Sequence, residues 1–142
     1  MGLYASLHLA GFDTSIDDIR NFRQLHSKTA GHPEYGEAEG IETTTGPLGQ
    51  GIASALGMAL GMKMLSKKFN QSNQPLFDSN VFVLAGDGCM MEGVSAEAAS
   101  LAGHLNLDNM ILIFDSNDIC LDGPTSECVS QDTKRRYEAY GW

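Results

Sequence analysis

Apolar residues in the first part of the chain recur with the spacing of amphipathic helices. They predict one helix over residues 3–10, which Gly11 is suited to end because glycine readily adopts the left-handed conformation found after helices. A second helix is predicted to begin after Thr14, whose hydroxyl would cap it, with Asp17 in its first turn, where the helix dipole favours a negative charge. Two short helices are therefore expected before residue 26.

The longest helical pattern runs from residue 47 to about residue 69. Pro47 suits the first position of this helix, because that position needs no backbone N–H. Glycine is less favourable than alanine inside a helix by up to about 1 kcal/mol. Close approach of another helix or of a ligand is expected to compensate for the four glycines in the pattern, Gly49, Gly51, Gly57 and Gly61.

Two segments farther along are predicted to be strands, at residues 81–85 and 110–114. Both are nearly continuous apolar runs, which is typical of parallel strands buried on both faces. A helical pattern from about residue 95 to residue 105 joins them. This order predicts a βαβ unit over residues 81–117 with a right-handed crossover. The expected fold class is α/β, with a parallel sheet flanked by helices.

Two polar connections separate these elements. Residues 26–46 form a long, glycine-rich connection. Connections of this length inside a domain are usually functional or disordered, so an active-site loop is expected here. Residues 70–79 form a second polar loop, of the kind in which cleavage or insertion is tolerated.

Composition excludes several classes of function. The chain has 142 residues, about the length of one domain, and a formal net charge of -9. Such an acidic chain lacks the positive patch that attracts nucleic acids and anionic membranes, so neither is expected as a partner. The three cysteines are odd in number and lack zinc-ligand spacing. With no signal peptide or membrane-spanning run, we expect reduced thiols and a cytoplasmic protein.

Each predicted strand is followed by a residue with a metal-binding side chain. Asp87 lies between Gly86 and Gly88 after the first strand, and Asn117 follows the second. Neighbouring parallel strands end at one edge, where open α/β sheets bind ligands. With a backbone carbonyl near Ile119, the two side chains would supply half of an octahedral Mg²⁺ shell, and glycine amides would approach a diphosphate. Taken singly, Asp87 could also be a turn residue or helix cap, and Asn117 a turn asparagine.

Three further features have both a chemical and a structural interpretation. The glycines of residues 46–51 would let a flat ring or a phosphate approach the backbone, or would serve helix packing alone. His32, held between glycine and proline, is either a solvated surface residue or a group aimed at a substrate. Glu92 either complements the dipole of the following helix or belongs to a buried proton relay.

Several segments together resemble the N-terminal, thiamine-diphosphate-binding domain of transketolases, and the resemblance covers essentially the whole chain. The most specific pair is residues 40–51 with residues 86–93; the other segments are residues 21–29, 31–34 and 137–142. The chain also begins in an apolar helical pattern and stops on an aromatic pair. We therefore expect residues 1–142 to be a partial diphosphate-binding domain, a piece of a longer protein.

The resemblance implies a role for each candidate residue. Asp87, Asn117 and the backbone carbonyl of Ile119 would bind Mg²⁺ or Ca²⁺. His32 would contact the donor sugar, and Glu92 would join an acid network that links the two active sites of a dimer. The remaining cofactor-binding positions, some acting through their backbone, are Gly46, Pro47, Leu48, Gly86 and Gly88.

One position departs from the family pattern. Most relatives have glycine after the metal-binding asparagine, where this chain has Asp118. An aspartate there changes the turn preference of the loop and adds negative charge near the predicted metal site. We expect the loop geometry to be affected, with Asn117 itself retained.

The reaction implied by the resemblance transfers a two-carbon ketol unit from a ketose phosphate to an aldose phosphate, in the pentose phosphate pathway, with thiamine diphosphate and Mg²⁺. The second subunit of a homodimer would supply the pyrimidine-binding domain, so the fragment is not expected to be active alone. Dihydroxyacetone synthase fits the same residues. Two alternatives are one chain of a split thiamine-diphosphate enzyme and a non-catalytic nucleotide- or cofactor-binding module.

Overall fold

The structure of the protein is a computed structural model that describes residues 1–142. The chain divides into two compact units, Met1–Pro47 and Leu48–Trp142. The secondary structure combines helices with a parallel two-stranded sheet, so the predicted α/β class is confirmed. None of the helices combines the length and the hydropathy needed to cross a membrane.

The first unit contains two short helices, α1 at Gly2–Leu9 and α2 at Ile16–Arg20. The first matches its prediction, and Gly11 follows it with a φ of 89°, in the left-handed region that favours glycine. The apolar cluster of this unit is small, with Tyr4 and Leu7 of α1 buried against Ala38 and Ile41. Helix α1 therefore packs against a loop that folds back onto it, and not against a second long helix.

The predicted cap of helix α2 is wrong by one residue. Ser15, not Thr14, is the N-cap, because the Ser15 hydroxyl accepts the backbone N–H of Asp18 at 3.1 Å and the Asp18 carboxylate accepts the backbone N–H of Ser15 at 2.7 Å. Lys28 also pairs with Asp18 at 3.2 Å. Thr14 is buried, and its hydroxyl oxygen forms no hydrogen bond with the helix end.

The connection between α2 and the next helix contains no regular helix or strand, as its polar pattern predicts. It is held instead by hydrogen bonds. Thr29 is fully buried and its hydroxyl donates to the carbonyl oxygen of Asp18 at 2.7 Å. The backbone N–H of Arg23 donates to Thr29, and that of Thr45 to Pro33, both at 3.0 Å.

Helix α3, at Gln50–Phe69, begins three residues later than predicted. Its N-cap is Gly49, with a φ of 79°, so Pro47 lies outside the helix. A side chain at Gly49 would come within 2.7 Å of both Glu92 Cβ and Ser95 Oγ, which explains why only glycine fits this cap. The predicted close approach is therefore confirmed here. At Gly57 and Gly61 a Cβ atom would meet no atom of the chain within 4 Å, so close approach of another helix of this chain does not explain these two glycines.

The second unit is built on strands β1, at Val81–Gly86, and β2, at Met110–Asp115. They pair in parallel from Val81 opposite Met110 to Gly86 opposite Asp115, which confirms the predicted strand–helix–strand order. Helix α5, at Gly93–His104, connects them and packs with α3 over the sheet. The small residues at this junction are Ala55 and Ala59 of α3 and Ala98, Ala99 and Ala102 of α5.

The two faces of the sheet differ, and the prediction that both are buried is wrong for this chain. Val83 and Ala85 face the helices and are buried. The alternate residues Phe82 and Ile113 are 68% and 51% exposed. Strand side chains alternate between faces, and α3 and α5 cover only one of them.

Two helices of the second unit were not predicted from the sequence. A short helix, α4 at Asp87–Met91, follows β1 directly. Helix α6, at Thr133–Ala139, brings Tyr137 into the core. Trp142 packs edge-on against Tyr137, with ring centroids 5.4 Å apart, and its indole N–H donates to the carbonyl oxygen of Ala99 at 2.8 Å. The terminal aromatic residues therefore do find a surface to pack against.

Candidate functional site

The candidate site lies where the two parallel strands end. Gly86, the last residue of β1, is paired with Asp115, the last residue of β2. The chain leaves β1 into α4 through Asp87, and it leaves β2 into a loop that carries Asn117. Parallel pairing thus brings both predicted metal-binding side chains to one edge of the sheet.

The carboxylate of Asp87 joins the two strand ends. Its Oδ2 atom accepts the backbone N–H groups of Asn117 and Asp118, both at 2.9 Å. The Oδ1 atom accepts no hydrogen bond from the protein. One oxygen therefore fixes the loop after β2, and the other has its lone pairs open to a ligand.

Asn117 forms a local turn within this loop. Its side-chain oxygen accepts the backbone N–H of Ile119 at 3.1 Å, and its side-chain nitrogen donates to Asp115 at 3.2 Å. The turn interpretation of Asn117 is therefore correct, and it is compatible with metal binding, because a carbonyl oxygen has a second lone pair. Asp118 follows with a φ of 61°, a left-handed conformation that aspartate tolerates better than most residues.

The donor set suits a hard cation that is shared with a phosphate. Asp87 offers a carboxylate oxygen and Asn117 an amide oxygen at the ends of the paired strands, and Ile119 follows Asn117 at the start of a short strand. No cluster of three or more histidine, cysteine, aspartate or glutamate side chains is arranged to hold a metal. Mg²⁺ is commonly bound in this way, through one or two protein carboxylates together with substrate phosphates and water, so the residues fit it.

Gly88 and Leu48, both predicted to bind cofactor, lie side by side. A Cβ atom on Gly88 would come within 3.2 Å of a methyl carbon of Leu48 and within 3.8 Å of Cys120 Cβ. At Gly86, by contrast, the nearest atom to such a Cβ would be the Asp115 carbonyl oxygen at 4.0 Å. The backbone of Gly88 is therefore the closely packed one at this edge.

In the first unit, the structure brings together two other predicted residues. The imidazole ring of His32 lies beside Gly46, with its nearest ring atoms 3.6 Å from where a Cβ on Gly46 would stand. His32 and Pro47 are exposed. A Cβ atom on Gly46 would be in ordinary van der Waals contact with the ring, so this contact alone does not require glycine at position 46.

Glu92 lies at the junction of α4 and α5. It is the N-cap residue of α5 through its backbone, and its carbonyl oxygen accepts the N–H groups of Ser95 and Ala96. Its side chain is exposed and forms no hydrogen bond in the chain. Both the dipole and the proton-relay interpretations of Glu92 stay predictions.

Some residues that shape the site were missed from the sequence. Met90 of α4 is buried, and its carbonyl oxygen accepts a hydrogen bond from the guanidinium of Arg136 on α6. Arg136 is followed by Tyr137, which faces the core, but no local pattern shows that α6 would reach α4. This contact anchors the short helix that begins with Asp87.

Two cysteines also meet beside this edge. The sulfur atoms of Cys120 and Cys128 are 3.5 Å apart. Their hydrogen bond, together with partial burial and the nearby carboxylates of Asp87 and Glu127, raises the pKa of the Cys120 thiol above its ordinary value. Neither residue was singled out from the sequence, because their spacing matches no metal or redox motif.

Comparison with known proteins identifies the family of this chain. The family described as "Transketolase, thiamine diphosphate binding domain" matches residues 1–142. The transketolase of Streptococcus pyogenes is 58% identical over 140 residues, which cover 99% of this chain and 19% of that protein. The transketolase of Physarum polycephalum is 56% identical over 142 residues, which cover 100% of this chain and 22% of that protein.

Solved structures give the same result. Transketolase from Leishmania mexicana superposes with a TM-score of 0.87 and 48% identity, over 98% of this chain and 21% of that one. The transketolase of Campylobacter jejuni gives a TM-score of 0.82 at 48% identity, again over 98% and 21%. The chain thus spans about a fifth of the length of the relatives it matches. By sequence and by fold, this chain belongs to the transketolase family, within its thiamine diphosphate binding domain.

Proposed function

We propose that this chain provides the metal and diphosphate side of a transketolase active site. The observation that supports this most is the link between the strand ends, in which Asp87 Oδ2 accepts the backbone N–H groups of Asn117 and Asp118 at 2.9 Å. It leaves the other carboxylate oxygen of Asp87 without a hydrogen bond, at the kind of sheet edge where open α/β folds bind ligands. A family match over the whole chain names the cofactor that such an edge would hold.

In this proposal Asp87, Asn117 and the carbonyl oxygen of Ile119 hold Mg²⁺, and Ca²⁺ would suit the same oxygens. The metal binds the diphosphate and neutralises part of its negative charge. This role falls to the metal because the chain is acidic and does not neutralise that charge with its own basic residues. Gly86 and Gly88 let the backbone approach the diphosphate oxygens without obstruction by a side chain.

The other predicted residues line the rest of the cofactor and the sugar. Gly46, Pro47 and Leu48 contribute backbone to the cofactor site. His32, an exposed imidazole, binds or exchanges a proton with an oxygen of the donor sugar. Glu92 contributes its carboxylate to a contact with a second subunit.

The proposed reaction is that of the family, in which a two-carbon ketol unit passes from a ketose phosphate to an aldose phosphate in the pentose phosphate pathway. Thiamine diphosphate supplies the nucleophile and the electron sink when it is bound, and the protein orients it. The protein would work as a cytoplasmic homodimer, with the pyrimidine-binding domain of a second subunit completing each site. Because the chain spans about a fifth of its relatives, we expect no ketol transfer from these 142 residues alone.

A calorimetric titration with three ligands tests the proposal. In the presence of Mg²⁺, thiamine diphosphate and inorganic diphosphate are expected to bind this chain, whereas thiamine without phosphates is expected to give no heat, because the metal-held diphosphate provides the affinity. Equal binding of thiamine and thiamine diphosphate would contradict the proposed role of the sheet edge. Ketol transfer by the purified chain would contradict the proposed need for a second domain.

A further inference from the structure

The cysteine pair beside the sheet edge has a chemistry that the cofactor site does not use. Cys120 and Cys128 have their sulfur atoms 3.5 Å apart, and Cys128 is exposed to solvent. The third cysteine, Cys89, packs against the apolar core of the second unit. One pair of the three thiols is therefore close together and reachable.

The fold brings these two thiols together. Cys120 lies in a short strand, β3 at Ile119–Cys120, which pairs with β4 at Gly123–Pro124. A single 3₁₀ turn at Thr125–Glu127 then returns the chain to Cys128.

Backbone hydrogen bonds hold the ends of this return. The N–H of Thr125 donates to the Asp118 carbonyl at 2.9 Å, and the N–H of Cys128 donates to the Thr125 carbonyl at 3.0 Å. The meeting of the two sulfurs is thus set by hydrogen-bonded backbone and does not depend on a flexible loop closing.

We propose that Cys120 and Cys128 form a redox-active dithiol that closes to an intrachain disulfide in the presence of a small-molecule disulfide. A disulfide bond needs a sulfur–sulfur distance of about 2 Å, so the two side chains must approach by a small rotation from their separation of 3.5 Å. The bond would fasten the segment that follows Ile119. It is independent of the proposed function, because it requires no cofactor and no metal.

The chemistry balances with oxidised glutathione as the oxidant. The exposed Cys128, as its thiolate, attacks one sulfur of the glutathione disulfide and releases a first glutathione thiolate. Cys120, as its thiolate, then attacks the Cys128 sulfur of the mixed disulfide and releases the second glutathione thiolate. Two protein thiols are oxidised, one disulfide is reduced to two glutathione molecules, and their thiolates take up the two protons.

A peptide map of the oxidised chain tests this pairing directly. A protease specific for glutamate cuts after Glu92, Glu97 and Glu127, which places each of the three cysteines in a different peptide. After exposure of the folded chain to oxidised glutathione, the expected product lacks two hydrogen atoms and links the Cys120 peptide to the Cys128 peptide. A link that involves Cys89, or a product that stops at bound glutathione, would overturn the proposal.

The rate of closure separates the effect of the fold from mere closeness in sequence. Closure in the folded chain is expected to be about tenfold faster than in concentrated urea, because the fold already holds the thiols together. Equal rates would overturn the claim that the fold prepares the dithiol. Cys120→Ser and Cys128→Ser should each stop at the glutathione adduct, whereas Cys89→Ser should close like the parent chain; closure in either of the first two would also overturn the pairing.

Discussion

Each of the two units of this chain is stabilised internally by a different kind of interaction. Leu48–Trp142 packs two long helices against a parallel sheet, with a continuous apolar cluster between them. Met1–Pro47 has only four buried apolar residues, and buried side-chain hydrogen bonds from Tyr4 and Thr29 to backbone carbonyls support its long loop. The first kind of interaction is non-directional, whereas the second needs each donor to meet its acceptor.

The two units also carry different residues of the predicted site. Leu48–Trp142, the apolar unit, fixes the positions of Asp87 and Asn117, because they lie at the ends of paired strands. Met1–Pro47, the polar unit, carries His32 and Gly46 on a loop without regular structure. Binding residues often lie on such loops, because loops tolerate change that a packed core does not.

Removing a core side chain from the apolar unit should have the largest effect. Ile52 of α3 is 1% exposed and lies in the main cluster. Ile52→Ala is expected to lower the free energy of unfolding by about 2–5 kcal/mol, because it leaves a cavity in a packed core. Urea unfolding followed by the fluorescence of Trp142, the single tryptophan, measures this unit.

Met64→Ala is the matched control for that experiment. Met64 lies on the same helix but is 65% exposed, so its truncation should change the free energy of unfolding far less. If the two variants lost the same stability, the apolar cluster would not be what holds this unit.

Removing one hydroxyl should have a smaller effect on the polar unit. Tyr4 is 2% exposed, and its hydroxyl donates to the Ala30 carbonyl oxygen at 2.8 Å. Tyr4→Phe is expected to cost about 1 kcal/mol, the usual contribution of one hydrogen bond. Hydrogen exchange at the amide of Arg23, which bonds to Thr29 within the same loop, should become faster.

Tyr35→Phe removes a hydroxyl from a tyrosine that is 71% exposed, so this control should leave the exchange rate unchanged. An equal acceleration in both variants would show that the bond from Tyr4 does not order the loop.

The smallest effect is expected from the cap of helix α2, and it depends on pH. The hydroxyl and backbone N–H of Ser15, helped by Lys28, hold the pKa of Asp18 below its ordinary value. A carboxylate whose pKa is lowered by folding stabilises the fold above the unfolded pKa, and that stabilisation is lost as pH falls through the folded pKa. Asp18→Asn should therefore accelerate exchange in this unit at neutral pH.

The difference between Asp18→Asn and the parent chain should shrink as pH falls below about 4, where the unfolded carboxyl is protonated. Glu37→Gln removes an exposed carboxylate that forms no ion pair, and it should change little at either pH. A difference for Asp18→Asn that stayed constant down to low pH would contradict the role of its charge.

The sequence was sufficient where one local pattern determines the outcome. Strands β1 and β2 and their parallel order follow from apolar runs and length, and the closeness of Asp87 to Asn117 follows from that order. Helix α1 ended where Gly11 predicted.

The errors occur where a contact distant in sequence selects between equal local options. Thr14 and Ser15 are both good caps, and the burial of Thr14 decides between them. The start of α3 depends on how closely Gly49 approaches Glu92 and Ser95. The pairing of Cys120 with Cys128 depends on a 3₁₀ turn that has no periodic signal.

The most direct test of the central claim is the Mg²⁺ dependence of thiamine diphosphate binding, measured by calorimetry on the parent chain and two variants. Asp87→Asn and Asp122→Asn each remove one negative charge from this region, but only Asp87 bonds to the loop after β2. We predict heat that appears only with Mg²⁺, is lost in Asp87→Asn and is kept in Asp122→Asn. Binding that needs no Mg²⁺, or that survives in Asp87→Asn, would contradict the account.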